Sequence, residues 1–524
     1  MSRSASPTSA ASHAAHEPMT ALSGMAGHAS TVLDAMVRGE MLDILQQRPA
    51  KQVAFTTPDE VVTYGELRAR IGGVMGAWRA VGVQPAERVG LLLADGAAMV
   101  ACFHAALALR LTPVMLNTRL TAAELSGQMQ AVDCRWLVVD AQTAPLAAQI
   151  NPPHRPLHVE AIAPAELPPL PPLDLDAPAA VMFTSGTSGQ PKAALLAARA
   201  FHASAMASAA RIGTQPDDDW LCVLPLYHVG GLSIVYRSAL YGTRFTLLPR
   251  FDAAHVAQRM LRGEVTLASL VPTMLYRLLE HLPSAPPRLR LILLGGAAPS
   301  AELLERAHAL GLPVATTYGL TEAASQVATA LPDLARRKVG TVGPPLEGTH
   351  VQIVNADGHP LPPYAEGEIC VRGATLMQGY LNDPAATARA LRDGWLHTGD
   401  IGYLDADGDL FVLLRRSDLI VSGGENVYPA EVEAALKAHP SVAEALVVGL
   451  PDAEWGQVVG ALVTLHHGAV LAEAALLAHL QGKLARYKQP RRLRIVDTLP
   501  LNATGKLDRG AARALLMTNH VDNT

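Results

Sequence analysis

The sequence has few of the features that tie a protein to a membrane or to a disulfide framework. Its 524 residues contain only four cysteines, at positions 102, 134, 222 and 370, and their spacing is not typical of zinc or redox sites. Isolated cysteines are most simply small buried side chains in a reducing compartment, so we expect a cytoplasmic protein. No apolar run reaches about 18 residues without a charge, Gly, Pro or polar interruption, so no transmembrane helix is predicted.

The sequence also lacks an excess of positive charge. The formal net charge is -5 and the aromatic content is only 4%, with a pI near 6.4 and a mean hydropathy of +0.19. This balance argues against general electrostatic binding to nucleic acid or to an anionic membrane. Local features must therefore hold any charged substrate, and the sequence leaves homo-oligomer formation open.

The length predicts two or more domains. Residues 1–30 are rich in Ala, Ser, His and Gly and are predicted to be a disordered tail. Between residues 31 and 414, helical and extended patterns alternate, which predicts an α/β fold with mostly parallel, doubly wound sheets and a β-rich subdomain from about residue 341. A new α+β pattern begins at residue 419. We therefore predict a hinge at 415–418 and a small, mobile C-terminal domain at 419–524.

Individual elements can be read from the hydrophobic spacing. Residues 63–81 open with a Thr cap and are predicted to be helical, residues 88–93 and 112–117 to be strands. The proline-rich span 150–178 is predicted to be a surface linker. It leads to the apolar run Ala179–Phe183, which is predicted to be a buried strand.

The segment after this strand carries the chemistry around which the chain is organised. It reads TSGTSGQPK and supplies four hydroxyls, two glycines and a lysine, which are Thr184, Ser185, Thr187, Ser188, Gly186, Gly189 and Lys192. Glycines let backbone N–H groups approach an oxyanion closely, so the segment predicts a loop that holds a polyphosphate. It is not a Walker P-loop, because two residues separate the second glycine from the lysine. Taken alone, the segment is also compatible with an ordinary surface turn.

Four later strands end in polar or glycine-rich loops. The loops are Pro225–Leu232, Pro272–Leu275, Gly295–Ala298 and Tyr318–Glu322. In an open parallel sheet, ligands bind at the carboxyl ends of the strands. The sequence therefore predicts one ligand site formed by these loops.

An ordered set of motifs resembles the adenylate-forming superfamily of acyl-CoA synthetases, adenylation domains and luciferases. The motifs are Thr184–Lys192, Tyr318–Glu322, Gly367–Gly373, Trp395–Asp400, Arg415 and Pro500–Lys506. Each motif alone is weak, but the ordered set is specific and the resemblance covers about residues 31–515. Two positions depart from the superfamily pattern: Ser188 stands where Thr is usual, and Ala193 where Gly is usual.

The resemblance implies ATP, Mg²⁺ and coenzyme A as cosubstrates and assigns roles to particular residues. It implies that the 184–192 loop holds the β- and γ-phosphates, that Glu322 ligates Mg²⁺ and that Asp400 accepts the ribose hydroxyls. Tyr318 is expected to stack on adenine. The further nucleotide-binding residues expected from the resemblance are Gly295, Gly296, Ala297, Thr317, Gly319, Thr321 and Arg415.

Two segments near the carboxyl end complete the predicted site. By resemblance, Lys506 bridges the substrate carboxylate and the α-phosphate, although a lysine at such a position is otherwise a solvated surface residue. After adenylation this lysine must leave and a thiol must enter, so the small domain is expected to rotate about Ser417. The segment Ser422, Gly423, Gly424 and Glu425 is expected to line a narrow tunnel for the pantetheine arm, or else to be a turn between two strands.

The acid pocket looks most like that of the o-succinylbenzoate–CoA ligases of menaquinone biosynthesis. That acid has two carboxylates, and the one that does not react needs a cation or strong donors. Arg237, in an otherwise apolar helix, is the candidate; the alternative is an arginine that reaches solvent or a neighbouring Glu. His228 is expected to act at the pocket mouth, with Thr184, Glu322 and Lys506 as the other catalytic candidates. The further pocket residues predicted are Gly231, Ser269, Thr273, Ser325 and Gln326, the last two of which are also compatible with helix capping.

Two pocket positions depart from the o-succinylbenzoate ligase pattern, with Gly230 in place of Ser and Tyr227 in place of Phe. Three other functions stay open at this point. A CoA ligase for another aryl or medium-chain fatty acid would use the same nucleotide machinery but give Arg237 no partner. An adenylation enzyme would load a carrier-protein thiol, although no carrier domain follows Lys506. A non-catalytic binding protein would not need Lys506, Glu322 and Asp400.

Overall fold

The computed structural model describes residues 45–151, 154–170, 172–185, 191–414, 419–501 and 507–518. The predictions for the tail at 1–30, for Gly186, Thr187, Ser188 and Gly189, for the hinge with Arg415 and for Lys506 lie outside the described residues. The strands of the described chain are β1 Val53–Thr56, β2 Val61–Thr63, β3 Arg88–Leu92, β4 Thr112–Met115, β5 Trp136–Val139, β6 Arg155–His158, β7 Pro178–Ser185, β8 Pro191–Ala197, β9 Asp219–Cys222, β10 Arg244–Leu247, β11 Leu267–Leu270, β12 Leu291–Leu294, β13 Val314–Leu320, β14 Ser325–Ala330, β15 Thr341–Gly343, β16 Thr349–Val354, β17 Gly367–Gly373, β18 Gly379–Tyr380, β19 Leu391–Arg392, β20 Trp395–Leu404, β21 Leu410–Leu414, β22 Ile420–Ser422, β23 Glu425–Val427, β24 Val442–Asp452, β25 Gly456–Leu465 and β26 Arg492–Ile495.

The helices of the same residues lie mostly between these strands. The α-helices are α1 Tyr64–Ala80, α2 Ala97–Ala108, α3 Ala122–Ala131, α4 Ala144–Ala147, α5 Ala198–Ile212, α6 Val229–Tyr241, α7 Ala253–Leu261, α8 Pro272–Leu279, α9 Ala301–Ala309, α10 Pro332–Arg337, α11 Pro384–Ala390, α12 Pro429–Lys437, α13 Glu473–Leu480 and α14 Arg509–Met517. Single 3₁₀ turns occupy Val159–Ala161, Thr321–Ala323 and Arg486–Lys488. No helix in the described ranges is both long and apolar enough to cross a membrane.

The predicted alternation of strands and helices forms two large sheets. One has the strand order β14-β13-β12-β11-β9-β10-β1-β2, and its six inner strands are parallel. The other has the order β18-β8-β7-β4-β3-β5-β6, with β7, β4, β3, β5 and β6 parallel. The inner parallel strands β4, β5, β11 and β12 are buried along their whole length and mostly apolar, because helices cover the sheets.

Local sequence signals explain how several of these elements begin. Helix α1 begins after Thr63, whose side chain accepts the N–H of Glu66 while the Glu66 carboxylate accepts the N–H of Thr63. This reciprocal capping box satisfies two donors that the first helical turn leaves unpaired. Helix α3 begins in the same way with Thr121 and Glu124. The start of α1 at its Thr cap agrees with the sequence prediction.

A β-rich subdomain and a small C-terminal domain follow the two sheets. The subdomain has the order β15-β21-β20-β17-β16, with β19 paired to β20, and is antiparallel throughout. The C-terminal domain has the order β23-β22-β25-β24, with β26 beside β25, and its own apolar core beneath α12 and α13. The predicted fold class, with a large α/β part, a β-rich subdomain and a small α+β domain, is confirmed.

Two elements differ from the sequence prediction. The span predicted as a linker contains strand β6, which pairs in parallel with β5 at the edge of its sheet. The loop predicted to hold phosphate is followed by a second strand, β8, which runs antiparallel to β7 from Pro191 to Ala197.

Candidate active site

A cavity of about 500 Å³ lies at the carboxyl ends of the parallel strands. It receives Val223 and Leu224 after β9, Ser269 and Val271 at the end of β11, and Gly295 after β12. Thr184 at the end of β7 faces it from the other large sheet, and Asp400 from the β-rich subdomain. Since strand ends from separate sheets meet here, the predicted convergence of the four loops on one site is found in the structure.

One side of this cavity combines the predicted phosphate and metal groups. Thr184 and Glu322 both line the cavity. The Tyr380 hydroxyl donates to Glu322 Oε1 at 2.8 Å, and the Lys192 ammonium lies 5.0 Å from the centroid of the Tyr380 ring. The tyrosine thus holds the carboxylate and contacts the cation through its ring face. A carboxylate oxygen beside a lysine suits Mg²⁺ and phosphate together.

A second group of residues at the cavity comprises those predicted for the nucleoside. The Tyr318 hydroxyl donates to Asp400 Oδ2 at 2.6 Å, which joins β13 to β20. Tyr318 is only 1% exposed, while Thr317 and Gly319 on either side of it line the cavity with Gly295 and Gly296. Stacking of Tyr318 on adenine stays a prediction, as does contact of Ala297 with the nucleotide.

Gly319 is required by the close approach of two backbones. A Cβ atom at this position would lie 2.0 Å from the carbonyl oxygen of Ser325. Strands β13 and β14 pair here through Gly319 and Gln326, next to a register shift. Ala324 and Ser325 both have positive φ angles, 48° and 95°. This strained turn aims Thr321 and Ser325 at the cavity, as expected for backbone strain at a functional site.

Arg237 is a buried cation at the cavity. It lies in α6, is only 2% exposed and lines the cavity. One of its terminal nitrogens donates to Ser208 Oγ at 3.2 Å and to Gln326 Oε1 at 3.1 Å, and its guanidinium lies 4.9 Å from the Trp220 ring centroid. Its Nε atom is buried without a hydrogen-bond partner. Burial lowers the pKa of Arg237, and within the described part of the chain no carboxylate forms an ion pair with it.

The remaining predicted pocket residues fall into two groups. Ser269, Thr273, Ser325 and Gln326 line the cavity. Ser269 Oγ accepts a hydrogen bond from Trp220 Nε1 at 2.9 Å, and Gln326 Nε2 donates to Thr329 Oγ1 at 3.0 Å. The prediction for Gly231 needs correction.

Gly230 lines the cavity in place of Gly231. A Cβ atom at Gly231 would lie 2.4 Å from the carbonyl oxygen of Pro225, so this glycine lets the first turn of α6 pack against the preceding loop. Glycine is thus required at position 231 for backbone packing beneath the pocket. The sequence pattern alone does not separate the two adjacent glycines.

The small C-terminal domain closes one side of the cavity. The hairpin of β22 and β23 presents Gly423, Gly424 and Glu425 to the cavity, and Trp455 lies beside them. Gly423 and Gly424 have φ angles of 59° and 88°, which favour glycine. A Cβ atom at Gly423 would lie 2.6 Å from the Trp455 ring. Three of the four residues predicted to line a tunnel thus line the cavity, whereas Ser422 is buried and does not. The segment is also a strand-to-strand turn, and its role as a tunnel stays a prediction.

Glu425 joins the C-terminal domain to the loops of the large domain. His228 Nε2 lies 3.0 Å from Glu425 Oε2, while the Tyr227 hydroxyl donates to Oε1 at 3.2 Å and Arg119 donates to Oε1 at 3.1 Å. Although burial alone would raise it, the pKa of Glu425 is lowered because His228, Arg119 and the Tyr227 hydroxyl outweigh desolvation. The carboxylate is 3% exposed. It is therefore held as an anion at the interface between the two domains.

A second carboxyl group lies beside this cluster. Asp95 follows β3, and its Oδ1 accepts the backbone N–H of Leu226 at 3.0 Å. Burial raises the pKa of Asp95 to about 6, with smaller opposing contributions from His228 and Arg119. Asp95, Arg119, Tyr380 and Trp455 were missed by sequence reasoning. Asp95 and Arg119 could have been found, because each follows a predicted strand and the two strands end at the same edge of one sheet.

Fold and cavity together define a nucleotide-binding α/β enzyme whose site is completed by a second domain. A family model described as AMP-binding enzyme matches residues 43–381, and one described as AMP-binding enzyme C-terminal domain matches residues 431–506. The chain therefore belongs to the AMP-binding enzyme family. It is an AMP-forming acid–thiol ligase of the acyl-CoA synthetase type, as the motif order predicted.

Relatives of known activity match nearly the full length. The chain is 41% identical to a 2-succinylbenzoate–CoA ligase of Geobacillus kaustophilus over 481 residues, which cover 89% of this chain and 97% of the relative. An amide bond synthetase of Marinactinospora thermotolerans matches with a TM-score of 0.82 at 30% identity, covering 91% of this chain and 99% of the other. The matching relatives thus do not all have the same activity.

The o-succinylbenzoate CoA synthetase of Bacillus subtilis matches in several ligand states. A double mutant bound to a CoA product analogue gives a TM-score of 0.85 at 37% identity, covering 91% of this chain and 98% of that chain. The same enzyme in complex with the acyl-adenylate intermediate gives a TM-score of 0.70 at 36% identity. This match covers 92% of the present chain and 98% of that chain. Its complex with ATP and a magnesium ion gives a TM-score of 0.69 at 37% identity. This match covers 92% of the present chain and 99% of that chain. The present structure is therefore more similar to the state with the CoA product analogue.

Proposed function

We propose that the protein is an o-succinylbenzoate–CoA ligase of menaquinone biosynthesis. The single observation that carries this proposal is Arg237, a buried cation that lines the acid cavity and has no carboxylate partner among the described residues. Burying an unpaired charge is strongly unfavourable, so such an arginine is expected to be matched by an anion when the site is in use. An acid with two carboxylates supplies that anion and still has a carboxylate to activate.

The polar groups around Arg237 fit this role. Gln326 and Ser208 accept hydrogen bonds from one terminal nitrogen of Arg237 and hold the guanidinium in place, while the Trp220 ring lies against it. A guanidinium has five N–H donors, and a carboxylate accepts two of them in a planar fork. The near-full-length relative from Geobacillus kaustophilus supports the same substrate.

The first half-reaction joins the acid to AMP. A carboxylate oxygen of the acid attacks the α-phosphorus of ATP, and the bond from this phosphorus to the bridging oxygen of pyrophosphate breaks. In this proposal Thr184 and Lys192 bind the departing phosphates, while Asp400 orients the ribose. When bound at Glu322, Mg²⁺ supplies positive charge to the pyrophosphate. Lys506 neutralises charge at the carboxylate and the α-phosphate.

The second half-reaction transfers the acyl group to sulfur. The CoA thiolate attacks the acyl carbon, and the bond from that carbon to the AMP oxygen breaks. The hairpin at Gly423–Glu425 lies at the cavity in the present structure, whose TM-score is higher with the CoA-product complex than with the acyl-adenylate complex. We propose that this arrangement serves thioester formation and that rotation at residues 415–418 brings Lys506 to the nucleotide for adenylation.

Acid-dependent release of pyrophosphate tests the substrate assignment. The panel contains o-succinylbenzoate, two analogues that each lack one of its carboxylates, benzoate and octanoate. We expect kcat/KM for o-succinylbenzoate to exceed that of every other acid. Replacing Arg237→Met should lower kcat/KM for o-succinylbenzoate about 100-fold, because truncating one partner of a buried charge pair costs several kcal/mol.

The control variant for this experiment is Arg262→Met. Arg262 lies outside the cavity, and its side chain is 56% exposed beside Glu264, so its replacement should change no kinetic constant. The monoacids should react with Arg237→Met at least as well as with the native enzyme, since they offer no partner to the arginine. Equal kcat/KM for benzoate and o-succinylbenzoate in the native enzyme would refute the proposed substrate.

A further inference from the structure

Three potential metal ligands share one face of the β-rich subdomain. Cys370 on β17 and His397 on β20 are directly opposite each other in the antiparallel register. Glu368 precedes Cys370 by two residues on β17, so its side chain lies on the same face. The two strands thus bring a thiol, an imidazole and a carboxylate together by sheet geometry, without a specialised loop.

The donor atoms of these residues are close to one another. Cys370 Sγ lies 3.4 Å from His397 Nδ1, and His397 Nδ1 lies 2.9 Å from Glu368 Oε2. All three donor atoms lie within 4.8 Å of one another. Tetrahedral zinc with ordinary bond lengths places S and N ligands about 3.5 Å apart and N and O ligands about 3.3 Å apart. The group therefore needs to open by only a few tenths of an ångström to hold such an ion.

The surroundings of the three residues also suit a soft divalent ion. Cys370 is buried, whereas the side chains of His397 and Glu368 are 13% and 29% exposed and leave a route from solvent. Burial raises the pKa of the Cys370 thiol, and the charge of Glu368 raises it further.

One other group of closely spaced ligand atoms in the described residues behaves differently. Asp405, Asp407 and Asp409 converge within ligand distance, but the Lys338 ammonium donates to all three carboxylates. In that group a cation of the chain already contacts all three carboxylates. The Glu368, Cys370 and His397 group is not neutralised by a lysine or arginine in any ion pair of the described residues.

We propose that Glu368, Cys370 and His397 form a binding site for a thiophilic divalent ion, with Zn²⁺ as the best chemical match. Thiolate, imidazole and carboxylate are the ligands that zinc prefers, and three protein ligands leave a fourth position for water. The second oxygen of Glu368 accepts the backbone N–H of Gly399 at 2.9 Å. Glu368 thereby contacts β20 one residue before Asp400, which lines the cavity.

Cobalt spectroscopy tests this site on the full chain after treatment with a chelator and in the absence of ATP. Addition of Co²⁺ should produce a thiolate-to-cobalt charge-transfer band at one ion per chain, and later addition of Zn²⁺ should abolish it. The band should be absent in Cys370→Ser. In His397→Gln it should need at least about 10-fold more cobalt, because loss of a ligand weakens binding at least as much as loss of an outer-shell partner.

Cys134→Ser is the matched control, because Cys134 is another buried free cysteine but lies in the large domain. It should keep the full band. Chelator-treated Cys370→Ser and His397→Gln should unfold within a few degrees of the native chain; if Cys370→Ser does not fold, His397→Gln alone decides. Absence of the band in the native chain, or an unchanged band in Cys370→Ser or His397→Gln, would overturn the proposal.

Discussion

At the scale of single residues, the structure separates groups whose chemistry a sequence shows from groups whose chemistry depends on their neighbours. Arg237 stood out in the sequence because it interrupts an apolar helix, and the structure places it at the cavity. Asp95 and Tyr380 did not stand out, because an isolated Asp or Tyr is common. Their roles follow from partners far away in the chain, Leu226 for Asp95 and Glu322 for Tyr380.

Asp95 makes a prediction for stability against pH. Its pKa is raised by burial from 3.8 to about 6, so the folded chain binds a proton more tightly than the unfolded chain. The contribution of Asp95 to stability is therefore fully present below pH 3.8 and is lost as the pH rises through 6. The loss is on the order of 3 kcal/mol. Replacing Asp95→Asn removes this dependence, because an amide does not titrate. The amide oxygen can still accept the Leu226 N–H.

Thermal unfolding measured at several pH values tests this expectation. The Tm of Asp95→Asn minus the Tm of the native chain should be larger at pH 8 than at pH 4.5. Asp59 is exposed, so Asp59→Asn serves as the control and should show no such difference. A constant Tm difference across this range for Asp95→Asn would show that Asp95 is not the titrating group.

At the scale of elements, hydrophobic spacing predicted most of the described strands and helices of the large domain to within a few residues. It missed β6, because Arg155–His158 contains a proline and is mostly exposed. This strand forms because β5 offers a free parallel edge, which is a tertiary cause that no local pattern shows. It also missed β8, because Pro191 was interpreted as part of a loop.

The β22–β23 hairpin yields a prediction at the same scale. Gly424 has a positive φ of 88° and borders the cavity, and a Cβ atom there would lie 3.4 Å from Val271. Gly424→Ala should slow thioester formation about 10-fold or more, because the methyl group narrows the thiol route and strains the turn by roughly 1–2 kcal/mol. Adenylation should be nearly unchanged, since we propose that this hairpin serves only the second step.

The control for backbone strain is Gly468→Ala. Gly468 also has a positive φ, 79°, but no atom lies within 4 Å of the place that an added methyl group would occupy. The Gly468→Ala variant therefore shows the effect of backbone strain alone, without obstruction of the cavity. Pyrophosphate exchange measures adenylation, and single-turnover reaction of preformed acyl-adenylate with CoA measures thioester formation. If both glycine variants slow the second step equally, the hairpin does not line the thiol route.

At the scale of the whole molecule, the site is assembled from parts that no single stretch of sequence connects. The order of motifs predicted the family, which is confirmed, whereas the nucleotide-binding roles it assigned to residues stay predictions. It did not predict that Glu425 contacts Tyr227, His228 and Arg119, because these residues come from different domains. Residues far apart in sequence acquire this relation only when the domains come together.

Glu425→Gln tests whether this interface selects the thioester-forming arrangement. Loss of the charge weakens the contacts to His228 and Arg119, so thioester formation from supplied acyl-adenylate should slow about 10-fold or more. Adenylation should be largely retained. Lys506→Ala should show the reverse, with adenylation abolished and thioester formation largely retained.

Glu444→Gln is the control for Glu425→Gln. Its side chain is 58% exposed and pairs only with Lys437 of the same domain in the described chain, so neither step should change. The same pair of step-resolved assays applies to all three variants. Equal loss of both steps in Lys506→Ala or in Glu425→Gln would contradict a scheme with two domain arrangements.

Arg237 has one consequence for selectivity. A guanidinium enclosed without a counter-charge makes the pocket electrostatically less favourable before an acid enters than after a diacid has bound. Acids that leave this charge uncompensated keep that penalty after entry, whereas a diacid removes it. The enzyme can thus select a diacid because the diacid compensates the buried charge of Arg237, and not only because the diacid makes favourable contacts of its own.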